Sequence, residues 1–319
     1  MKLRFWGTRG SLPVALTAAD VRVKLARALV AAQGRNFADE AHAMAWLQAD
    51  LPFAVGGTYG GHSSCVQVVC PGEEFIVCDA GSGLRPFGGH AMAARAGKPG
   101  VYHLFMSHLH WDHIMGFPFF TPAYIPGNII NIYGGHADLE HAFRRQQAVP
   151  SFPVDFDLLR ADIRFHTLEP GRDYDIAGCR VRCKLQMHAG DSYGWRFEHA
   201  GRAAVYSTDS EHKLEHLDTT LSFVEFFRDA KVVVFDAMYS LADAISVKED
   251  WGHSSNVIGV ELAQLAGVEH LVLFHHEPVF GDERLATIEA ETRRFEEITR
   301  NERPALKISA AWDGLEIDV

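Results

Sequence analysis

The sequence predicts an α/β sandwich, two sheets packed face to face with helices on both outsides. Three observations predict it. Short apolar runs bounded by Gly, Pro, Asp and Asn recur along the chain. Stretches with helical spacing fall singly between groups of these runs, not at one end. And 319 residues, 47% of them hydrophobic, suffice for a sizeable core. No repeat, low-complexity tract or linker divides the chain, so the expectation is a single domain over residues 1–319.

The first strands are expected at Lys2–Trp6, Ser64–Cys70, Glu74–Ala80, Val101–Ser107 and Ile129–Gly134. A second set follows at Ile163–Leu168, Cys179–Met187, Tyr193–His199, Ala203–Asp209, Val232–Ala237 and Leu271–His276. A closing hairpin is expected around Asp313-Gly314, because Asp-Gly suits a two-residue turn. Val21, Leu25, Leu29 and Ala32 share helical spacing, as do Ala41 and Ala45 beside Met44. Residues 14–55 therefore read as a helical insertion between two strands that would otherwise be hairpin partners. Its expected role is a structural cover, with a lid or a dimer contact as the alternative. Further helices are expected at His136–Val149, after the cap residues Ser254 and Ser255, and at Asp282–Asn301.

Formal net charge is −11, and no basic run marks a nucleic-acid footprint. Tight binding to bulk DNA or RNA is disfavoured. A small anionic substrate stays open, because a bound metal can invert the local field. The five cysteines contain no Cys-x-x-Cys pair and sit mostly in apolar runs, which predicts buried free thiols rather than a zinc ribbon or a disulfide framework. The first residues carry no apolar leader, and no 18-residue apolar run follows. The expectation is a cytoplasmic protein with no membrane contact.

The densest chemistry lies in Ser107-His108-Leu109-His110-Trp111-Asp112-His113. It is either a cation site or a polar turn rich in histidine. The run follows a strand, so His108 and His110 can point the same way by strand alternation. Asp112 and His113 then follow around the turn and can face a second cation. Imidazole nitrogens with a hard carboxylate suit Zn, Mn or Fe, and the metal reading is preferred. Closing ligands would come from elsewhere, and His188, Asp209 and His275 each end an apolar run. A carboxylate can offer its two oxygens to two metals, and Asp209 is the choice for that. Asp79, another strand-end acid, suits orienting the ligand histidines or the loop.

Taken in order, Asp79, the His108-x-His110-x-Asp112-His113 block, His188, Asp209 and His275 resemble the five signature elements of the metallo-β-lactamase superfamily. The resemblance implies an αββα sandwich of two mixed sheets flanked by helices. It implies two divalent metal ions, zinc first, with Mn or Fe as alternatives. His108, His110 and His188 would hold one; Asp112, His113 and His275 the other; Asp209 and a hydroxide would bridge them. Zinc β-lactamases of the commonest type carry Cys at the position of Asp209, and flavodiiron proteins carry Glu at that of His110, which argues against both.

The branch that includes RNase Z and the phosphoribosyl cyclic phosphodiesterase is more similar. Trp251-Gly252-His253-Ser254-Ser255 resembles its Gly-His-x-Ser element, and Phe5–Ser11 and Tyr59–Cys65 resemble its first segments. His62 departs from the Asn expected in the latter. The chain lacks a Gly/Pro-rich basic arm of the kind with which RNase Z grips tRNA. The expected function is therefore hydrolysis of a small phosphodiester, cyclic-nucleotide-like or similar, through attack by the bridging hydroxide. Asp112 and Asp209 would serve at the metals, and His253 would supply a proton or hydrogen bond to the leaving oxygen. Two other readings stand beside it: a glyoxalase-type thioester or lactone hydrolase, and a non-catalytic metal-dependent binder or sensor. The expected partner is the small phosphodiester, with a homodimer through the insertion as an option.

Overall fold

In a computed structural model, residues 1–212, 217–238 and 252–319 are described. Two seven-stranded mixed sheets form the centre. The first contains β1 (Lys2–Gly7), β2 (Cys65–Val69), β3 (Phe75–Cys78), β4 (Val101–Phe105), β5 (Ile129–Gly134) and β6 (Asp162–Thr167), in that spatial order, with the C-terminal β14 (Glu316–Asp318) outside β1. The second runs from β7 (Asp173–Ile176) through β8 (Cys179–Gln186), β9 (Ser192–His199), β10 (Arg202–Ser207), β11 (Val232–Asp236) and β12 (His270–Phe274) to β13 (Lys307–Ala310). β3 to β6 are mutually parallel, as are β10 to β13, while β7 to β10 pair antiparallel. β8 and β10 both oppose β9, so they run the same way. Their C-terminal ends meet those of β11 and β12 at one edge.

The sequence pattern explains the layers. Along β8, Cys179, Val181 and Cys183 face inward while Arg180 and Arg182 face out, the period of two that a half-buried strand needs. Phe5 and Phe105 of the first sheet meet Trp195, Phe197 and Phe274 of the second in one apolar layer. The indole N–H of Trp195 donates across it to the carbonyl of Met106 at 3.2 Å. Outside the second sheet, Phe235 and Leu271 pack under helices Leu217–Phe227, Asn256–Ala266 and Asp282–Thr299. Outside the first, Tyr102 and Ile130 pack under Leu84–Arg95 and Leu139–Gln146. Each fully buried Phe contributes about 1.5–3 kcal/mol of transfer free energy. This is the αββα sandwich expected from the resemblance.

One expectation needs correction, one strand was not foreseen, and the insertion has an unexpected exposed face. The closing hairpin does not form: Lys307–Ala310 runs parallel to β12 in the second sheet, whereas Glu316–Asp318 pairs antiparallel with β1 in the first. Asp313-Gly314 is instead a crossing between sheets. The Asp313 carboxylate accepts the backbone N–H groups of Gly61 and His62, each at 3.0 Å, and Gly314 N–H bonds Phe5 O at 2.8 Å. β7 escaped the reading because its sequence, DYDI, is half acidic. The insertion does place helices Ala18–Ala31 and Glu40–Ala49 between β1 and β2, which pair antiparallel. Yet the first of these buries no residue: Val21, Leu25 and Leu29 stay exposed, and the helix is tied down by Lys24 on Asp282 at 2.6 Å and by the Arg27–Glu283 pair. A helical pattern reports periodicity, not what the apolar face meets.

All five cysteines are free, and all but Cys70 are buried. Among the described residues, no helix is long and apolar enough to cross a membrane.

Candidate metal centre

Strand ends build the site. Asp79 follows β3, Ser107 and His108 follow β4, His188 follows β8, Asp209 follows β10, and His275 follows β12. Three of these residues leave their strands with left-handed backbone: φ is +60° at Asp79, +47° at Asp209 and +59° at His275. A non-glycine residue adopts this region only when its surroundings over-determine it. Here the turn carries the side chain into the convergent edge.

The seven residues expected as ligands come together in two groups with Asp209 between them. In the first, His108 Nε2 lies 3.0 Å from His110 Nδ1, which lies 3.2 Å from His188 Nε2. In the second, His113 Nε2 lies 3.1 Å from Asp112 Oδ2 and 3.3 Å from His275 Nε2. Asp209 Oδ1 is 3.7 Å from His108 Nε2, 3.8 Å from His188 Nε2 and 3.3 Å from His275 Nε2, and its Oδ2 is 3.3 Å from His113 Nε2. Within each triad the potential ligand atoms lie within 4.8 Å of one another. His110 is the exposed member; His108, Asp112, His113, Asp209 and His275 are buried.

The donor set fits divalent cations. Three imidazole nitrogens aimed at one point cannot satisfy one another with protons, because each shared proton serves only one pair. A cation at that point satisfies all three.

Surrounding contacts orient several of the candidate ligands. Asp79 is fully buried and accepts four hydrogen bonds at 2.7 Å, from Ser107 N–H, Ser107 Oγ, Tyr206 Oη and His113 Nδ1. Its acceptance of the Nδ1 proton leaves His113 Nε2 for the cluster. The carbonyl of Gly252 bonds His188 Nδ1 at 2.8 Å, likewise turning Nε2 inward. Gly252 has φ +80°, and a Cβ there would meet the His188 ring at 2.5 Å, so the backbone approach requires glycine. Ser11 N–H donates to Asp112 Oδ2 at 2.8 Å, and Gly10 packs directly on the His275 ring.

The electrostatics follow the crowding. Burial holds the His108 and His110 pKa values below the ordinary histidine range, aided by His113 for the first and His188 for the second. Neutral imidazole is the form that binds a metal. Burial opposes charge on Asp112 and Asp209, but the histidines around them outweigh it and hold both carboxyls well below the usual range. At His113 burial is likewise outweighed, by Asp112, Asp209 and Asp79, which raise its pKa.

His253 stands at the rim. Its Nδ1 is 2.8 Å from Asp236 Oδ2, its ring stacks on His275 at 5.1 Å, and it lies 5.2 Å from the His188 ring. Burial disfavours its charge, but Asp236 through charge and hydrogen bond, helped by Asp209 and Asp112, raises its pKa to about 9. Ser254 Oγ donates to Ser210 O at 2.6 Å and accepts His212 N–H at 3.1 Å, tying this segment to the one after Asp209. Ser255 caps the helix beginning at Asn256, as expected.

Sequence reasoning missed Asp236. It is fully buried, ends β11, and also accepts Met238 N–H at 3.1 Å. The signal was present: VVVFD ends in an acid just as FIVCD does at Asp79. His62, whose role was open, bonds Ser82 Oγ through Nδ1 at 3.1 Å.

A profile of the Beta-lactamase superfamily domain matches residues 75–276, which contain all of these strand ends. The chain belongs to the metallo-β-lactamase superfamily. It is a metal-dependent hydrolase of that fold. Ribonuclease Z of Acaryochloris marina is 24% identical over 224 residues, covering 55% of this chain and 68% of the relative. The metallo-β-lactamase fold protein YhfI from Bacillus subtilis superposes with a TM-score of 0.65 at 15% identity, over 99% of this chain and 98% of its own. A diphosphatase of the PhnP family gives 0.60 at 18% identity, over 100% of this chain and 97% of its own.

Proposed function

We propose that the protein hydrolyses a small phosphodiester, with two divalent metals, zinc first, held by the two triads and bridged by Asp209. The observation that carries the reading is the Asp236–His253 pair beside both triads. When a phosphodiester P–O bond breaks, the departing group is an alkoxide, which needs a proton, and a histidine held by a buried carboxylate is suited to supply it. The names of the relatives, a ribonuclease and a diphosphatase, support phosphoryl chemistry. The net charge of −11 supports a small substrate over a folded polyanion.

Bound at these ligands, the metals would acidify a water and withdraw charge from the phosphoryl oxygens. The rest belongs to the chain. Asp79 and the Gly252 carbonyl hold His113 and His188 in the tautomer that presents Nε2. Asp236 orients His253 through Nδ1 and keeps it protonated, so that Nε2 can give its proton to the leaving oxygen as the ester P–O bond breaks. Ser11 N–H fixes the Asp112 carboxylate.

The purified, metal-loaded protein should hydrolyse bis-p-nitrophenyl phosphate faster than an acyl thioester; the reverse order would overturn the reading in favour of a glyoxalase-type enzyme. His253→Ala should keep its metals and fold and lose about 10²–10⁴ in turnover on a diester with an alkyl leaving group. Near-normal turnover there would remove His253 from the mechanism.

A further inference from the structure

The turn between β8 and β9 carries His188 to the first triad and also packs on His110, since a Cβ at Gly190 would lie 3.6 Å from His110 Nε2. Its other residues, Met187, Ala189, Gly190 and Asp191, are exposed. Two successive residues are left-handed, with φ +84° at Gly190 and +56° at Asp191. A non-glycine residue keeps that conformation only where contacts hold it. Within the turn, Asp191 N–H bonds His188 O at 3.2 Å. From outside it, the Asp191 carbonyl accepts the Nε2 proton of His136 at 3.0 Å.

His136 lies two residues past β5 and is buried, with its ring edge-on to Tyr193 at 4.8 Å. Its mount is tightly packed. Tyr193 Oη donates to Gly135 O at 3.2 Å, Tyr193 N–H bonds Ser107 O at 2.8 Å, and a Cβ at Gly135 would meet the Tyr193 ring at 2.2 Å. Ser107 directly precedes His108, so the same mount reaches the third member of the triad. A carbonyl only accepts, so Nε2 carries the proton. Nδ1 is buried and finds no partner among the described residues. Packing against Tyr193 therefore does not account for a histidine here, because an apolar ring would fill the space without leaving a polar atom unmet. What an apolar ring could not make is the bond to Asp191.

We infer that His136 is a positioning residue for the first metal subsite, holding the turn at residues 188–191 so that His188 reaches His108 and His110. This rests on the two-metal reading of the triads and adds a residue outside the seven. His136 acts through the backbone of the turn, so its loss is felt at the first triad and not at Asp112, His113 and His275.

Competition of the zinc-loaded protein against a chromophoric chelator gives one affinity per bound ion, with no turnover needed. His110→Ala identifies the step that belongs to the first triad. His136→Phe keeps the ring's bulk and removes the donor. It should weaken that step about 2- to 12-fold, the range of one hydrogen bond, and leave the other within about twofold. His136→Gln, whose side-chain amide N–H reaches about as far as Nε2, should recover most of the loss. An unchanged first step in His136→Phe, an equal loss at both steps, or a loss that His136→Gln does not reduce would overturn the inference. Should His136→Phe fail to fold, His136→Leu takes its place in the comparison with His136→Gln. A wild type that binds one zinc ion would sink the two-metal reading. If His110→Ala removes that ion, the His136 variants decide the inference on it in the same way; if not, the inference falls as well.

Discussion

Asp79→Asn isolates what a carboxylate beneath the metal centre contributes. Asp79 touches no substrate; it gathers four donors, with Ser107 N–H on Oδ1 and Ser107 Oγ, Tyr206 Oη and His113 Nδ1 on Oδ2, all at 2.7 Å. Asn has the same shape but one acceptor oxygen and an NH2. If its oxygen takes the place of Oδ2, the NH2 faces the Ser107 N–H, donor against donor. A buried donor left unmade costs about 1–3 kcal/mol, and hydrogen bonds to charged groups are worth roughly twice neutral ones. Loss of charge assistance at four bonds with one donor conflict comes to on the order of 3–6 kcal/mol. That is a large share of a typical domain stability of about 5–15 kcal/mol. The amide also ceases to favour the Nδ1–H tautomer of His113, so Nε2 is presented to the metal less often. Such outer partners are typically worth about 10–100-fold in metal affinity. Urea unfolding with chelator present reads the first effect, and competition with a chromophoric chelator reads the second. A stability change below about 1 kcal/mol with unaltered metal affinity would refute the reasoning.

Three further outcomes are expected. Asp209→Ala should bind fewer metals than the wild type by elemental analysis, because the Asp209 oxygens approach ligand nitrogens of both triads; an unchanged count of two would contradict bridging. Asp236→Asn removes the main group that raises His253 towards about 9; the alkaline limb of the rate profile should therefore move to lower pH, and a fixed limb would assign it to another group. His212 is buried, packs against Phe223, Phe227 and Phe235, and its Nε2 finds no partner among the described residues. Burial lowers its pKa to about 4. Only the unfolded chain takes up this proton between the ordinary value of ~6.5 and about 4, so this contribution is intact above pH 6.5 and is lost as pH falls towards 4. His212→Phe should raise the urea midpoint at pH 5 more than at pH 7.5; an equal shift at both would refute the titration argument.

The sandwich and the convergence of the seven candidate ligands were legible because they rest on local pattern. Period-two runs mark strands, and a His-x-His-x-Asp-His run after a strand is too rich in ligand types for chance surface polarity. What stayed hidden depends on tertiary partners. Asp236 is no more remarkable in sequence than any acid after an apolar run, and only the fold sets it 2.8 Å from His253. The destination of the last strand was hidden for the same reason. Asp313-Gly314 is a hairpin signal locally, but the Asp313 carboxylate is spent on Gly61 and His62, and the two arms pair with different sheets. The apolar residues of helix Ala18–Ala31 show the converse, a local pattern whose members Val21, Leu25 and Leu29 stay exposed.

Backbone conformation connects these points. Asp79, Asp209 and His275 sit in the left-handed region, where glycine would be easier by roughly 1–2 kcal/mol at each position. Glycine has no side chain to offer, so each position trades backbone ease for a group aimed at the centre. The strain is held by neighbours that are themselves fixed: Asp79 N–H bonds Phe105 O at 2.9 Å, and Ala237 N–H bonds Phe274 O, just before His275, at 3.1 Å. The parallel strands thus supply rigid exits, the left-handed residues turn the side chains inward, and the glycines at 10 and 252 let backbone press against the His275 and His188 rings.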